Sequence, residues 1–137
     1  MTDSLDQLQQ EIKALAALIN VPLDSYAFPS FGYTRDFGCP HIEVDSNNYH
    51  YVSVERGKET ERFTTSSKED LLYRVFREIT FSMASAYEAM HRIPNQDFRR
   101  VLFSHQLQLL NILSPKWATR CELEINTSLQ NYPYRDG

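Results

Sequence analysis

Between His41 and Thr65 the apolar residues recur every second position, whereas on either side of that segment they recur at the helical spacing of about 3.6. This change of period constrains the fold most. A period-two segment inside an otherwise helical chain must form strands that bury one face and leave the other free. "HIEVD" (41–45), "YHYVSVE" (49–55) and "ETERFTT" (59–65) alternate and are rich in β-branched and aromatic types, which suit a pleated, half-buried surface. Ser46-Asn47-Asn48 and Gly57-Lys58 separate them, so an antiparallel meander of three strands is expected. Gly57 at the first central position of a type II′ turn places Val52 opposite Phe63 and Val54 opposite Glu61. A three-residue first loop, with an asparagine in the left-handed region, pairs Ile42 with Val52 and Val44 with His50. The inner face is then Ile42, Val44, Val52, Val54 and Phe63. His41, Glu43, Asp45, Tyr49, Tyr51, Ser53, Glu55, Thr60, Arg62 and Thr64 fall on the outer one.

The flanks read as helices. Leu5, Leu8, Ile12, Leu15 and Ile19 form one stripe over 4–19, capped by Asp3 or Ser4 and stopped by Asn20-Val21-Pro22. Residues 22–40 are punctuated by Pro22, Pro29, Gly32, Gly38 and Pro40, yet carry Tyr26, Phe28, Phe31, Tyr33 and Phe37. A solvated linker would not hold five aromatics, so this loop is expected to pack against the body or a partner. Ser67, with Asp70 three residues on, opens a second helix running to about His91, with the stripe Leu72, Val75, Phe76, Ile79, Met83, Tyr87 and Met90. Pro94 breaks it. A third helix spans 96–113 with Phe98, Val101, Leu102, Leu109 and Leu113 inward. Ser114-Pro115 starts a fourth, whose stripe is Trp117, Cys121, Ile125 and Leu129. The class is α+β: an N-terminal helix, a three-stranded meander, and three C-terminal helices packed on one sheet face, in a single domain over 1–137.

At 137 residues the chain is long enough for one real core. No run of about eighteen apolar residues is present, and the acidic, amphipathic start is not that of a signal peptide, so a cytoplasmic protein without a membrane span is expected. The formal net charge of −4 argues against nucleic acid or anionic lipid as partner, because both need a basic patch. Cys39 and Cys121 read as free thiols.

The chemistry-bearing patterns are sparse. Cys39, His41 and His50 are possible ligands without a second pair at a zinc spacing, and the expected register puts the two histidines on opposite faces, so no metal is assigned. There is no Gly-x-Ser-x-Gly and no glycine-rich phosphate loop, and no cofactor is implied. "RIPNQDFRRVLF" (92–103) is the densest cluster. Asn95 or Asp97 stands where a helix start needs an acceptor, and Arg100 would lie near the Glu78–Glu88 flank of the preceding helix. Glu88, Asp97 and Arg100 therefore read as a structural polar cluster, a cap plus an interhelical ion pair, ahead of a catalytic one.

"PHIEVD" (40–45), "YHYVSVERG" (49–57), "LLY" (71–73), "TFSMA" (80–84), "QDFRR" (96–100) and Trp117 together resemble the bacterial polymorphic-toxin immunity proteins of the immunity protein 63 type, over about 29–133. Arg74 departs from the aromatic expected after "LLY", and Ala89 from the leucine expected after Tyr-Glu. The resemblance implies a non-catalytic antitoxin that binds and neutralises a cognate secreted toxin. The alternatives are a small adaptor or homodimerising scaffold, or a small enzyme built on Asp97, Arg100 and Glu88; monomer and homodimer both stay open. The outer face supplies a partner-binding candidate in Glu43, Asp45, Tyr49, Tyr51, Glu55 and Arg62. Rigid aromatics among carboxylates suit capture of a basic toxin.

Overall fold

A computed structural model describes residues 2–137, in the order α1 (Leu5–Leu18), β1 (Ser30–Phe31), β2 (Pro40–Val44), β3 (Tyr49–Glu55), β4 (Lys58–Thr65), α2 (Lys68–Met90), α3 (Phe98–Leu113) and α4 (Pro115–Asn131). The class is α+β, with four helices and one mixed four-stranded sheet ordered β1-β2-β3-β4. The expected meander is present as β2, β3 and β4. The addition is β1, two residues from the aromatic loop that pair parallel to β2 as Ser30 with His41 and Phe31 with Ile42. Two residues are too few to leave a period in the sequence, and Pro29 and Gly32 on either side read as loop. No described helix is long and apolar enough to cross a membrane.

The chain divides into two compact units, Met1–Phe76 and Arg77–Gly137, with α2 contributing to each. In the first, Ser4 and Gln7 form a reciprocal capping box on α1, whose buried line is Leu8, Ile12 and Ala16. α1 lies over the sheet face that carries Ile42. Tyr49 Oη accepts the Asp3 N–H at 2.9 Å, and a Cβ on Gly32 would come within 2.8 Å of Leu5 Cδ2. The start of α2 is capped by Ser67, whose hydroxyl accepts the Asp70 N–H at 3.1 Å, and Arg74 reaches the Phe63 ring and Glu61.

The register differs from expectation by one residue. Ile42 pairs with Tyr51 and Val44 with Tyr49, and Tyr51 pairs in turn with Phe63. The first loop has four residues rather than three. The Asp45 N–H donates to the Asn48 carbonyl, and Asp45 Oδ1 accepts the N–H groups of Asn47 and Asn48, so the aspartate closes the turn without a left-handed asparagine. In the second hairpin Arg56 and Gly57 both have positive φ (54° and 76°), a type I′ turn with glycine second rather than first. A bulge between Ser53 and Val54 absorbs Thr60 opposite. A shift of one residue turns every β3 side chain over. Tyr49 and Tyr51 are consequently buried, 3% and 5% exposed, where the alternation had put them outside. Val52 and Val54 are buried as well, on the other face. β4 is an edge strand with most of its residues exposed.

In the second unit α4 buries Trp117, Cys121 and Ile125, started by Ser114 and Pro115. α3 buries Leu102, Gln106, Leu109 and Leu110, while Phe98 is 53% exposed rather than inward. Gln106 is a core polar group with partners: its Nε2 donates to the Arg77 carbonyl (3.1 Å) and to Thr80 Oγ1 (3.3 Å). Along this part of α2 the buried line is Ile79, Thr80, Ala84 and Glu88, not Met83, Tyr87 and Met90. Tyr87 instead stacks between the rings of His91 and His105, at centroid distances of 4.0 and 3.8 Å. Glu88 tolerates burial because Arg92 meets its carboxylate with two hydrogen bonds, 3.0 and 2.8 Å.

Candidate protein-binding face

Cross-strand pairing places His41, Glu43, His50, Val52, Arg62 and Thr64 on the sheet face opposite Tyr49 and Tyr51. Val52 is completely covered at its centre, and the polar side chains around it form two connected groups. In the first, Arg62 donates to Glu59 (Nε at 3.1 Å and Nη2 at 2.5 Å) and through both Nη atoms to Glu43 Oε1 at 3.2 Å. Glu43 Oε2 in turn meets His41 Nε2 at 2.8 Å. His41 is buried and its Nδ1 has no hydrogen-bond partner among the described residues, so the network places the proton on Nε2, donating to Glu43. In the second, His50 joins Thr64 Oγ1 (2.9 Å) and Asp45 Oδ2 (2.8 Å).

These contacts set the charge of the face. The His50 hydrogen bond, with the Asn47 and Asn48 N–H groups behind it, draws the Asp45 carboxyl down to about 2. The His41 hydrogen bond is the main cause lowering Glu43, and Arg62 lowers Glu59. Arg62 is raised in return, chiefly by Glu59. At neutral pH three carboxylates thus stand against one guanidinium, each in a fixed geometry. Exposed pairs of this kind add little stability.

Of the residues expected to bind a partner, Glu43, Asp45 and Arg62 share this face, Glu55 is exposed at the hairpin end, and Tyr49 and Tyr51 lie on the covered side. The aromatic surface comes from the loop instead. Phe28 and Phe31 turn inward as an edge-to-face pair, while Tyr26, Tyr33 and Phe37 are exposed. Phe37 is 81% exposed and sits in a left-handed run, Asp36, Phe37 and Gly38 (φ 58°, 58° and 75°). A bulky residue rarely holds that conformation. Hydrogen bonds fix the run beside the hairpin: Gly38 N–H donates to the Val54 carbonyl (2.7 Å) and Gly57 N–H to Asp36 Oδ1 (3.3 Å). His50 and Glu59 were not among the expected contacts, and His41 and His50 share a face rather than opposing one another. Asp45 followed by Asn47 and Asn48, the signature of an aspartate-closed turn, is the signal that would have found both histidines.

Glu88, Asp97 and Arg100 do not converge. Glu88 pairs with Arg92, Asp97 caps α3 by accepting the Arg99 N–H (2.9 Å), and Arg100 pairs with Asp136.

A family model described as "Immunity protein 63" matches residues 45–127, more than half of the chain. The chain belongs to the immunity protein 63 family. The immunity protein 63 match runs from Asp45 through β3, β4, α2 and α3 into α4, so it includes Asp45, His50, Glu59 and Arg62 and leaves His41 and Glu43 before it. Comparison with curated proteins and with solved structures gave no match.

Proposed function

We propose that this chain neutralises a cognate polymorphic toxin by stoichiometric binding that occludes the toxin's working surface, without catalysis of its own. The observation that carries the reading is the polar sheet face, where Glu43, Asp45 and Glu59 are held in place beside Arg62 within a chain of the immunity protein 63 family. An acidic, preorganised surface attracts a basic partner and speeds its capture. Phe37, exposed in the run that Asp36 and Gly38 tie to the β3–β4 hairpin, supplies the aromatic anchor that such interfaces use. The toxin is therefore read as basic around its active cleft, and the protein as cytoplasmic, where a toxin made by the same cell must be held in check.

The test is co-expression with the toxin encoded beside this chain. Wild type should restore growth. Glu59→Lys, and separately Phe37→Ala, should lower rescue and slow association while leaving the far-UV circular dichroism and melting temperature near wild type. Full rescue by both variants would move the interface elsewhere. Failure of wild type to rescue would sink the neutralisation itself.

A further inference from the structure

The start of α3 holds a peptide. Six residues after α4, Tyr132–Gly137, lie across it, and most of them are exposed, so polar contacts rather than core burial hold them there. Arg99 donates to the Tyr132 carbonyl (Nη1, 2.8 Å) and the Pro133 carbonyl (Nη2, 2.9 Å). Asp97 Oδ2 accepts the Arg135 N–H at 2.8 Å, and the Asn95 carbonyl accepts the Gly137 N–H at 2.8 Å. These four contacts read backbone, so they are indifferent to sequence. Two others read side chains. Arg100 embraces the Asp136 carboxylate through Nε (3.1 and 3.2 Å) and Nη2 (2.8 Å), with the Asp97 N–H donating to the same carboxylate at 2.8 Å. The Tyr134 ring lies under both guanidiniums, 5.4 Å from Arg99 and 4.0 Å from Arg100.

The arrangement has the parts of a peptide-recognition site: backbone clamps that fix register, a cationic cradle for an aromatic ring, and a bidentate seat for a carboxylate two residues later. Asp97 orients Arg99 by accepting from its Nε (3.1 Å) and Nη2 (2.8 Å), which lowers its own carboxyl and raises the guanidinium. Two hollows of about 420 Å³ and 260 Å³ are lined by Gln96, the larger also by Asp97, Arg135 and exposed Phe98, the smaller also by Arg100. A segment held this way, with a proline at its base, can be exchanged for another of like chemistry without disturbing a core.

We propose that Asn95, Asp97, Arg99 and Arg100 form a docking site for an aromatic-x-acidic segment of a partner protein, which the chain's own Tyr134-Arg135-Asp136 occupies and masks in cis. The own segment is tethered, so its effective concentration is of millimolar order and a free competitor meets a closed site. This is a second surface, separate in its residues from the sheet face, and it requires nothing of the toxin reading.

The test uses the full-length chain and a fluorescein-labelled synthetic peptide of sequence NYPYRDG. Tyr134→Ala with Asp136→Ala should loosen the cis segment and open the site. By fluorescence anisotropy, this double variant should bind the peptide saturably and at least about tenfold more tightly than wild type. Adding Arg100→Ala should abolish binding, and a peptide with alanine at the tyrosine and aspartate positions that match Tyr134 and Asp136 should not bind. Circular dichroism and melting of each variant establish that α3 is intact. No saturable binding by the folded double variant would overturn the site, and equal binding by wild type would overturn the masking. A concentration-dependent dimer of wild type, lost in the double variant, would show that the site takes a second copy's segment and would overturn the partner assignment.

Discussion

Replacing Tyr51 by alanine tests the register on which the placement of the candidate face depends. Tyr51 is 5% exposed, pairs with Ile42 on one side and Phe63 on the other, and lies in the covered face of the central strand β3. A buried aromatic hides about 150–250 Å². At about 25 cal/mol/Å² that area corresponds to roughly 4–6 kcal/mol, an upper bound because the unfolded chain is not fully extended. Aromatic-to-alanine substitutions in cores cost about 3–5 kcal/mol, so a loss of about 3 kcal/mol is expected, and a melting temperature lower by roughly 10 °C. Under the register suggested by strand alternation alone, Tyr51 would be solvent-facing and the change would cost about 0.5 kcal/mol or less. Val52→Ala is the internal standard, since Val52 is fully buried on the opposite face and would also be inward under the alternation register. Urea unfolding followed by far-UV circular dichroism measures both. A loss below about 1 kcal/mol for Tyr51→Ala, with an unchanged m-value and a normal loss for Val52→Ala, would refute the four-residue loop and return the tyrosines to the open face.

Gly32→Ala should destabilise by about 2 kcal/mol, because φ is +85° and the new Cβ would meet Leu5 Cδ2 at 2.8 Å. Gly57→Ala, at φ +76° with open space around it, should cost about 1 kcal/mol, and thermal melts rank the two. Acid should weaken the fold as its lowered carboxylates protonate. Asp45, Glu43, Asp97 and Asp136 are all depressed from ordinary values of 3.8 to 4.5, so their contribution is whole above about pH 5 and drains away as pH falls towards 2. A stability curve flat between pH 5 and 2.5 would contradict that coupling. Cys39 and Cys121 are buried and not joined in a disulfide, so a thiol reagent should label neither in the native protein and both in urea.

How far the sequence reaches depends on how redundantly it states a feature. α4 was legible residue by residue, because Ser114, Pro115, Trp117, Cys121 and Ile125 give cap, first turn and stripe independently. β2 and β4 were legible in parity, since Ile42 and Phe63 have polar neighbours on both sides. β3 was not. "YHYVSV" offers aromatics at odd positions and aliphatics at even ones, so either face can be read as inner, and loop length decides between them. An unrecognised aspartate-closed turn therefore moved Tyr49 and Tyr51 off the candidate face while leaving Glu43, Asp45 and Arg62 on it. The α3 cluster shows another limit. The cap at Asp97 is local and readable, but the carbonyls that Arg99 reaches and the carboxylate that Arg100 holds lie more than thirty positions away, and nothing in "QDFRR" announces them.

Strand β4 leaves one row of backbone hydrogen-bonding groups without a neighbouring strand, and a row of this kind invites end-on growth into aggregates. Its composition answers the hazard: Lys58, Glu59, Glu61 and Arg62 interrupt any apolar run, and the bulge at Thr60 kinks the line that a foreign strand would have to follow. Glu59 and Arg62, proposed contacts of the toxin, therefore also guard this edge. A variant that neutralises both to probe toxin capture also strips the guard from this edge, and loss of rescue by such a protein carries meaning only after light scattering shows that it is still monodisperse.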